Sequence, residues 1–348
     1  FLKAAITKAS TNSTFGNNLN ALLSDSTGVF TFFAPTDAAF QASGFPSAAA
    51  VSAQRAGLLD TILRYHLVPG QKITSSIISQ TFPNMQEPTA LVLAPPSASL
   101  PPGLRMSIFP SKRGTLLWAN NIPITQADIA ASNGVVHKVA TLVAPPSQYL
   151  WDRINNDPDL TYLKAAIQRA DSGVAAASTL QAGLQNPAAN LTVFAPTNLS
   201  FQQLLTAQIT AALIAQGMPS LTAQTTAAAL ASSPTVFTNP ALASVLTPTL
   251  VKGVVVYHLL GVRSFSVNIP SAATNTPTLL NTAVANHPGV SLQATFGPTG
   301  VTAATVKGVA NASASNILIN PTPAPNGTSD QHYINGVLHK IDQVLIPQ

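Results

Sequence analysis

The chain has 348 residues and a mass of 35.9 kDa, which is enough for two domains of ordinary size. Hydrophobic residues make up 46% of it but charged residues only 8%, against about 25% in average soluble domains, so the composition excludes intrinsic disorder and a densely charged surface. The formal net charge of +5 comes from 16 basic and 11 acidic residues, and one adjacent basic pair, Lys112-Arg113, provides no basic stripe for nucleic acid.

The absence of cysteine excludes disulfides, thiol nucleophiles and cysteine-ligated metal centres. No stretch of 18 apolar residues is uninterrupted, so no transmembrane segment is predicted in this chain. The sequence starts at Phe1 without a signal peptide, and we expect that the targeting segment of an exported protein is missing from it. Five sequons are candidate N-glycosylation sites in such a protein: Asn12, Asn190, Asn198, Asn311 and Asn326.

Helical periodicity is clearest at 1–23 and at 160–169, where we expect two similar units to begin. Each helical segment is followed by a short run of β-branched and aromatic residues, at 31–33 and 191–194, which predicts a strand. Ala-Pro then ends the strand, because proline cannot donate to a ladder, and a threonine follows as a predicted helix N-cap.

Three signatures recur in the same order in both halves, which indicates an internal duplication. They are the Phe-Ala-Pro-Thr box, a Tyr-His pair and a closing Asn-Gly-x-x-His box; their residues are Pro35, Thr36, Tyr65, His66, Asn133, Gly134 and His137 in the first copy, and Pro196, Thr197, Tyr257, His258, Asn335, Gly336 and His339 in the second.

The spacing between the copies grows along the chain, from 161 residues at the proline to 192 at the first histidine and 202 at the last. The second unit therefore contains about 31 extra residues between the first two signatures and about 10 between the last two. The larger insertion falls within 202–249, where the spacing of alanine and leucine predicts one or two extra helices interrupted at Pro219 and Pro240.

The Asn-Gly dipeptide of the closing box predicts a hairpin, since both residues accept a positive φ. The apolar runs that follow, 135–143 and 337–346, are predicted as the closing strands of the two units. We therefore predict an α+β protein of two tandem domains, 1–146 and 147–348, with the insertion in the second.

In combination, these signatures resemble the fasciclin domain, known as FAS1, as two tandem copies that cover essentially the whole chain. The resemblance implies that each domain is a β wedge of two packed sheets flanked by helices, and that the protein acts in adhesion or matrix attachment outside cells. It implies no single chemistry. In animal members an Asp-Ile motif before the closing box is associated with integrin contact. Asp128-Ile129 matches this motif as a candidate adhesion site, whereas Gln331–Ile334, taken as its counterpart, contains no Asp-Ile.

The four repeated histidines, His66, His137, His258 and His339, invite a metal or catalytic interpretation. Each follows a strand-like apolar pattern, however, and a buried imidazole bonded to the backbone serves the fold equally well. No His-x-x-x-His spacing or Gly-x-Ser-x-Gly elbow occurs, and Glu87 is the single glutamate. We therefore expect a protein that is not an enzyme, with no catalytic residues, no bound metal and no cofactor, and with family-motif residues that are structural.

Three classes of function remain open from the sequence. The leading hypothesis is an extracellular or cell-surface adhesion or matrix module, either secreted or lipid-anchored, whose partners are other surface or matrix proteins, glycans, or further copies in a homo-oligomer or fibre. The second is a small-molecule or glycan-binding module that uses the inter-domain or insertion surface, and Trp118 and Trp151 could stack on sugar or pack in a core. The third is an enzyme or a helper of a secreted oxidase.

Overall fold

The computed structural model describes residues 1–12, 18–95, 103–320 and 327–348, and it confirms the α+β class. The chain divides into two compact units, Phe1–Pro146 and Ser147–Gln348, which are called unit 1 and unit 2 below. The helices of the described part of unit 1 are α1 (Leu2–Ala9), α2 (Leu19–Ser24), α3 (Asp37–Ala42), α4 (Ala48–Ser52) and α5 (Ala56–Tyr65). Its strands are β1 (Phe30–Pro35), β2 (Leu67–Pro69), β3 (Glu87–Ala94), β4 (Leu104–Ile108), β5 (Pro110–Arg113), β6 (Leu116–Ala119), β7 (Ile122–Ala131) and β8 (Gly134–Val139).

The sheet of unit 1 is built around its first and last strands, which pair in parallel with Phe30 opposite Gly134. The order is β2-β1-β8-β7-β6-β5, and β3 and β4 form a separate antiparallel pair. All six residues of β1 are buried, because the strand lies inside the sheet with helices packed over it. The core on this side is made of apolar side chains from the strand and the helices, including Leu19, Phe32, Phe40, Val51, Leu59, Leu63 and Leu67.

Unit 2 repeats this plan with more residues in helices. In its described part the helices are α6 (Leu150–Asn156), α7 (Thr161–Ala170), α8 (Leu180–Gln185), α9 (Asn198–Ala215), α10 (Ser220–Leu230) and α11 (Pro248–Tyr257). The strands are β9 (Leu191–Pro196), β10 (Leu259–Leu260), β11 (Thr274–Thr276), β12 (Val290–Gly297), β13 (Gly300–Lys307), β14 (Ser315–Ile317), β15 (Gln331–Tyr333) and β16 (Gly336–Ile341).

The first and last strands of unit 2, β9 and β16, again pair in parallel, with Leu191 opposite Gly336. Here β14 joins β13 to β16, so the strands form one sheet of order β10-β9-β16-β14-β13-β12-β11, with β15 beside β16 and no separate pair like β3 and β4 of unit 1 among the described residues. The core contains Leu150, Trp151, Leu163, Ile167, Val193, Phe201, Phe237, Val255 and Leu338.

The insertion of unit 2 is helical, as the alanine and leucine spacing predicts. The helix after the first signature has 18 residues in α9 against 6 in α3. Pro219 then precedes α10, which packs on α9. Two short 3-10 turns, Pro234–Thr238 and Pro240–Leu242, lead into α11. These elements add a layer to unit 2 without changing the pairing of its central strands.

Candidate functional site

The first signature turns the chain from a buried strand into a helix in both units. Pro35 and Pro196 are the last residues of β1 and β9. The hydroxyl of Thr36 accepts a hydrogen bond from the amide of Ala39 at 3.0 Å, and Thr197 caps α9 in the same way. The prolines therefore end the strands, and the threonines start the helices that follow.

The Tyr-His pair lies at the end of a helix in each unit. The expectation of a strand before His66 and His258 is therefore wrong. Tyr65 and Tyr257 end α5 and α11, and the histidines follow as C-caps. Three consecutive valines make the second segment look like a strand, but a helix forms there because it packs against α7.

Both tyrosine hydroxyls fasten the helix end to the strands beyond it. The hydroxyl of Tyr65 donates to the carbonyl oxygen of Ser107 at 3.0 Å and accepts from the side-chain amide of Asn120 at 3.1 Å. In unit 2 the hydroxyl of Tyr257 donates to the carbonyl oxygen of Gly289 at 2.6 Å. Burial raises the pKa of Tyr257, so the phenol stays protonated and available as a donor.

The two histidines of these pairs bridge the helix to the chain segment that follows the last strand of each unit. Nδ1 of His66 donates to the carbonyl oxygen of Ile62 at 2.8 Å, and Nε2 accepts from the amide of Val143 at 3.0 Å. His258 repeats this arrangement, with Leu345 as the amide donor at 2.9 Å. Because an amide donates to Nε2, each ring is neutral, and burial lowers both pKa values to about 4.

The histidines of the closing box belong to a second repeated cluster, which we call the clasp: Ser75, Asp128 and His137 in unit 1, and Ser266, Asp330 and His339 in unit 2. Nε2 of His137 donates to the carbonyl oxygen of Ile73 at 2.7 Å, and Nδ1 accepts from the amide of Asp128 at 3.3 Å. The Asp128 carboxylate in turn accepts from the amide and the hydroxyl of Ser75. The clasp thus ties β7 and β8 to the loop after β2.

The clasp of unit 2 has the same hydrogen bonds. Nε2 of His339 donates to the carbonyl oxygen of Ser264 at 2.9 Å, and Nδ1 accepts from the amide of Asp330 at 3.2 Å. The amide and hydroxyl of Ser266 both donate to the Asp330 carboxylate at 2.6 Å. Although the three residue types are those of a hydrolase triad, the serine contacts the aspartate and the imidazole contacts backbone groups, which is not the arrangement that activates a nucleophile.

The clasp corrects the sequence comparison of the two units. Asp330 is the counterpart of Asp128, because each lies nine residues before the closing histidine and each has a positive φ, 53° and 61°. The aspartate of the Asp-Ile motif is therefore present in both units, and the difference is Gln331 in place of Ile129. The equal spacing could have identified Asp330 from the sequence, whereas nothing there pointed to the serines.

Asp128 and Ile129 differ in their access to solvent. The Asp128 side chain is exposed, while Ile129 is half-buried. Desolvation opposes ionisation of Asp128, but the hydrogen bonds from Ser75 outweigh it and keep the pKa of the carboxyl group below its usual value. This carboxylate is therefore charged near neutral pH.

The Asn-Gly dipeptides lie in hairpins, as predicted, but for a different reason. Neither residue has a positive φ in either unit. Instead, a Cβ on Gly134 would collide with the carbonyl oxygen of Phe30, and a Cβ on Gly336 would lie 2.5 Å from that of Leu191. The asparagines hold neighbouring helix ends: the side-chain amide of Asn335 donates to the carbonyl oxygen of Leu184 at 2.8 Å, and Asn133 likewise bonds the end of α2.

All four repeated histidines thus use both ring nitrogens on the chain's own backbone, which leaves neither nitrogen available to a metal or a substrate in this geometry. Within the described ranges, no group of three or more His, Asp or Glu side chains could hold a metal ion. The repeated polar residues stabilise the fold through hydrogen bonds within the chain.

Two of the sequon asparagines donate a hydrogen bond from Nδ2 to a backbone carbonyl oxygen. Nδ2 of Asn311 donates to the carbonyl oxygen of Val344 at 2.9 Å, and its side-chain oxygen accepts from the amide of Ile346. Nδ2 of Asn198 donates to the carbonyl oxygen of Pro158 at 2.8 Å. Because a glycan is attached through Nδ2, a sugar at either residue would displace these bonds.

Two further sequon asparagines make hydrogen bonds to side chains of the chain. Nδ2 of Asn12 donates to the carboxylate of Asp60 at 2.8 Å, and the side-chain oxygen of Asn190 accepts from Arg263 at 2.9 Å. Asn326 lies outside the described residues.

The aromatic candidates for sugar stacking are not accessible. Trp118 in β6 is 2% exposed and Trp151 in α6 is 6% exposed, so both contribute to cores. Lys112 lies in β5 and donates to the carbonyl oxygen of Ser75 at 3.1 Å. These residues are therefore part of the framework of their units.

Two concave surfaces of unit 2 involve the insertion. One groove of about 510 Å³ lies between α9 and α10. A second, of about 580 Å³, lies between the start of α9, residues 310–313 and the segment 342–346, and is lined by polar groups that include Ser200, Gln203, Asn311, Ser313 and Asp342. In the described part of the chain, no helix is both long and apolar enough to cross a membrane.

Comparison with known proteins supports the resemblance for unit 1. A family model described as the Fasciclin domain matches residues 5–145. Among solved structures, a FAS1 domain pair from the insect cell adhesion molecule Fasciclin I is similar over 99% of this chain and 97% of its own, with 14% identity and a TM-score of 0.37. No protein with a curated description matches the sequence.

Proposed function

We propose that this chain, whose residues 5–145 match the family model of the Fasciclin domain and whose unit 2 repeats the clasp and the strand pairing of unit 1, is a non-enzymatic adhesion or matrix module. It acts outside the cell or on its surface, through contacts with other surface or matrix proteins or with glycans. The observation that carries the proposal is that all four repeated histidines bond the chain's own backbone through both ring nitrogens, so we place the function on the outer surface.

The low charge of the chain supports a role in surface contact. With 8% charged residues, much of the surface consists of Ser, Thr, Asn, Gln and Ala side chains, which cost less to desolvate on contact than charged side chains. In unit 1, Asp128 and Ile129 remain the proposed adhesion residues, since the aspartate side chain is exposed and charged.

A second candidate function is the binding of a small molecule or glycan to unit 2. It is favoured by the groove of about 580 Å³, because its size lies in the range of ligand pockets and its walls offer several hydroxyl and amide groups. A ligand there would bond Gln203 and Ser313, and Gln203→Ala would weaken its binding without changing the melting temperature.

The proposal is tested by attachment to an immobilised surface. The full chain is coated on plates, and retention of cells and of a panel of matrix proteins and glycans is compared with retention on heat-unfolded chain. Ile129→Ala should lower retention if unit 1 carries the contact, whereas Leu58→Ala, at an apolar site in α5 that is 38% exposed, should not. Equal retention on folded and unfolded chain would refute the proposed function.

A further inference from the structure

We propose that the outer surface of α9 and α10 pairs with the same surface of a second copy of this chain, as a closed two-fold dimer. This surface, called the hairpin face, comprises the groove between the two helices and the exposed Leu221 beside it. The inference rests on the proposed function for its setting and deepens it by naming a surface and a partner.

The hairpin face lies in a segment without charge. Residues 172–251 contain no Asp, Glu, Lys, Arg or His, although the chain average of 8% would place about six charged residues in a segment of this length. Exposed helix surfaces usually carry charged side chains. Since every charge of the +5 chain lies elsewhere, two copies can meet at this face without strong repulsion and without desolvating an ion.

The hairpin face offers both a groove and an exposed apolar side chain. Its groove of about 510 Å³ is lined by Gln202, Gln203, Thr206, Ala207, Thr210 and Gln224. Leu221, at 75%, is the most exposed large apolar side chain of the described residues, and it lies one helical turn before Gln224. A two-fold axis through the face would place Leu221 of each copy in the groove of the other, which is the reciprocal contact of an isologous dimer.

Other occupants fit the hairpin face less well. The aromatic residues of the segment, Phe194, Phe201 and Phe237, are all buried, so none is available to stack on a sugar or to anchor at a membrane interface. The segment also offers no lysine or arginine to attract anionic lipid or an acidic partner. A second copy of the chain provides a surface that is also uncharged, with a leucine for the groove and a groove for the leucine. We therefore take the second copy as the occupant of the hairpin face.

The test is the mass of the full chain by sedimentation, from about 1 µM to about 1 mM. We expect the mass to rise from 35.9 kDa to twice that value and to stop there. Leu221→Glu and Ala207→Arg should each weaken association by at least about tenfold, because each places a charge against an apolar contact. An equimolar mixture of the two variants should pair again, since one contact is then native and the other joins Glu to Arg.

The matched control is Ile77→Glu, which adds the same charge at an exposed apolar residue of unit 1 and should associate like the original chain. Circular dichroism melts should show that all variants are folded, because Leu221 is exposed and a glutamate suits the first turn of α10. A chain that stays monomeric, one that grows beyond two copies, or a Leu221→Glu variant that associates normally would each overturn the proposal.

The surface-retention assay separates this inference from the proposed function. A chain that dimerises but retains no cell, protein or glycan would refute the adhesion proposal and leave the dimer supported. A monomeric chain that retains a partner would refute the dimer and leave the adhesion proposal supported.

Discussion

Acidification should destabilise each unit through the buried histidine of its Tyr-His pair. The pKa of His66 falls from 6.5 to about 4 in the folded unit because burial disfavours the cation, and no charged side chain contributes. Between these values the unfolded chain binds more protons than the folded one, so the free energy of unfolding decreases as the pH is lowered. The loss is about 2 kcal/mol at pH 5 and about 3 kcal/mol below pH 4.

The informative variant is His66→Gln, which keeps an acceptor near the amide of Val143 but cannot be protonated. At pH 7.5 we expect it to cost about 1 to 2 kcal/mol, since the ring and its bond to Ile62 are lost. Between pH 7.5 and pH 5, however, unit 1 should lose about 2 kcal/mol less in the variant than in the original chain.

Each unit contains one tryptophan, which allows the two to be followed separately. In a Trp151→Phe background the remaining fluorophore, Trp118, reports urea unfolding of unit 1. His258→Gln in the same background is the control, because it removes the equivalent histidine from unit 2 and should leave the pH dependence of unit 1 unchanged. If His66→Gln shows the same loss between pH 7.5 and pH 5 as the original chain, the neutral, buried state assigned to His66 is wrong.

Three further predictions concern residues that stabilise the fold through close packing or internal hydrogen bonds. Gly134→Ala should destabilise unit 1 by about 2 kcal/mol or more, because the added Cβ would meet the backbone of β1. Gly57→Ala, inside α5 with no close neighbour, should instead stabilise unit 1 by about 0.5 to 1 kcal/mol. Urea titrations would compare the two variants. Ser266→Ala should cost unit 2 about 1 to 3 kcal/mol through the loss of a charge-assisted hydrogen bond, and an unchanged melting temperature would contradict the clasp. Asn311 should carry no glycan after secretion from a eukaryotic host, as glycopeptide mass spectrometry would show, while Asn311→Gln should lower stability through its two lost backbone bonds.

The sequence was most informative where a residue acts on its immediate neighbours. Thr36 and Thr197 cap helices because they follow a proline-terminated strand, and the extra helices of the insertion follow from the spacing of alanine and leucine. Such features depend on local geometry, which a short sequence window contains.

Features that depend on distant contacts were not predictable in the same way. The run before His258 reads as a strand but forms a helix, because packing against α7 outweighs the propensity of its valines. Gly134 is required by the close approach of β1, which precedes it by about a hundred residues. Likewise, Ser75 and Ser266 have no motif of their own, and their role exists only once the chain brings them to an aspartate.

The parallel pairing of the first and last strands determines how an insertion affects folding. Phe30 pairs with Gly134 across 104 residues, and Leu191 pairs with Gly336 across 145. Closing the longer loop costs only about 0.3 kcal/mol more, because the entropy of closure grows with the logarithm of loop length. Unit 2 can therefore accommodate its extra helices at almost no cost in equilibrium stability. In both units the central strand pair cannot form during synthesis until nearly the whole unit has left the ribosome, so we expect slow, late completion of the sheet.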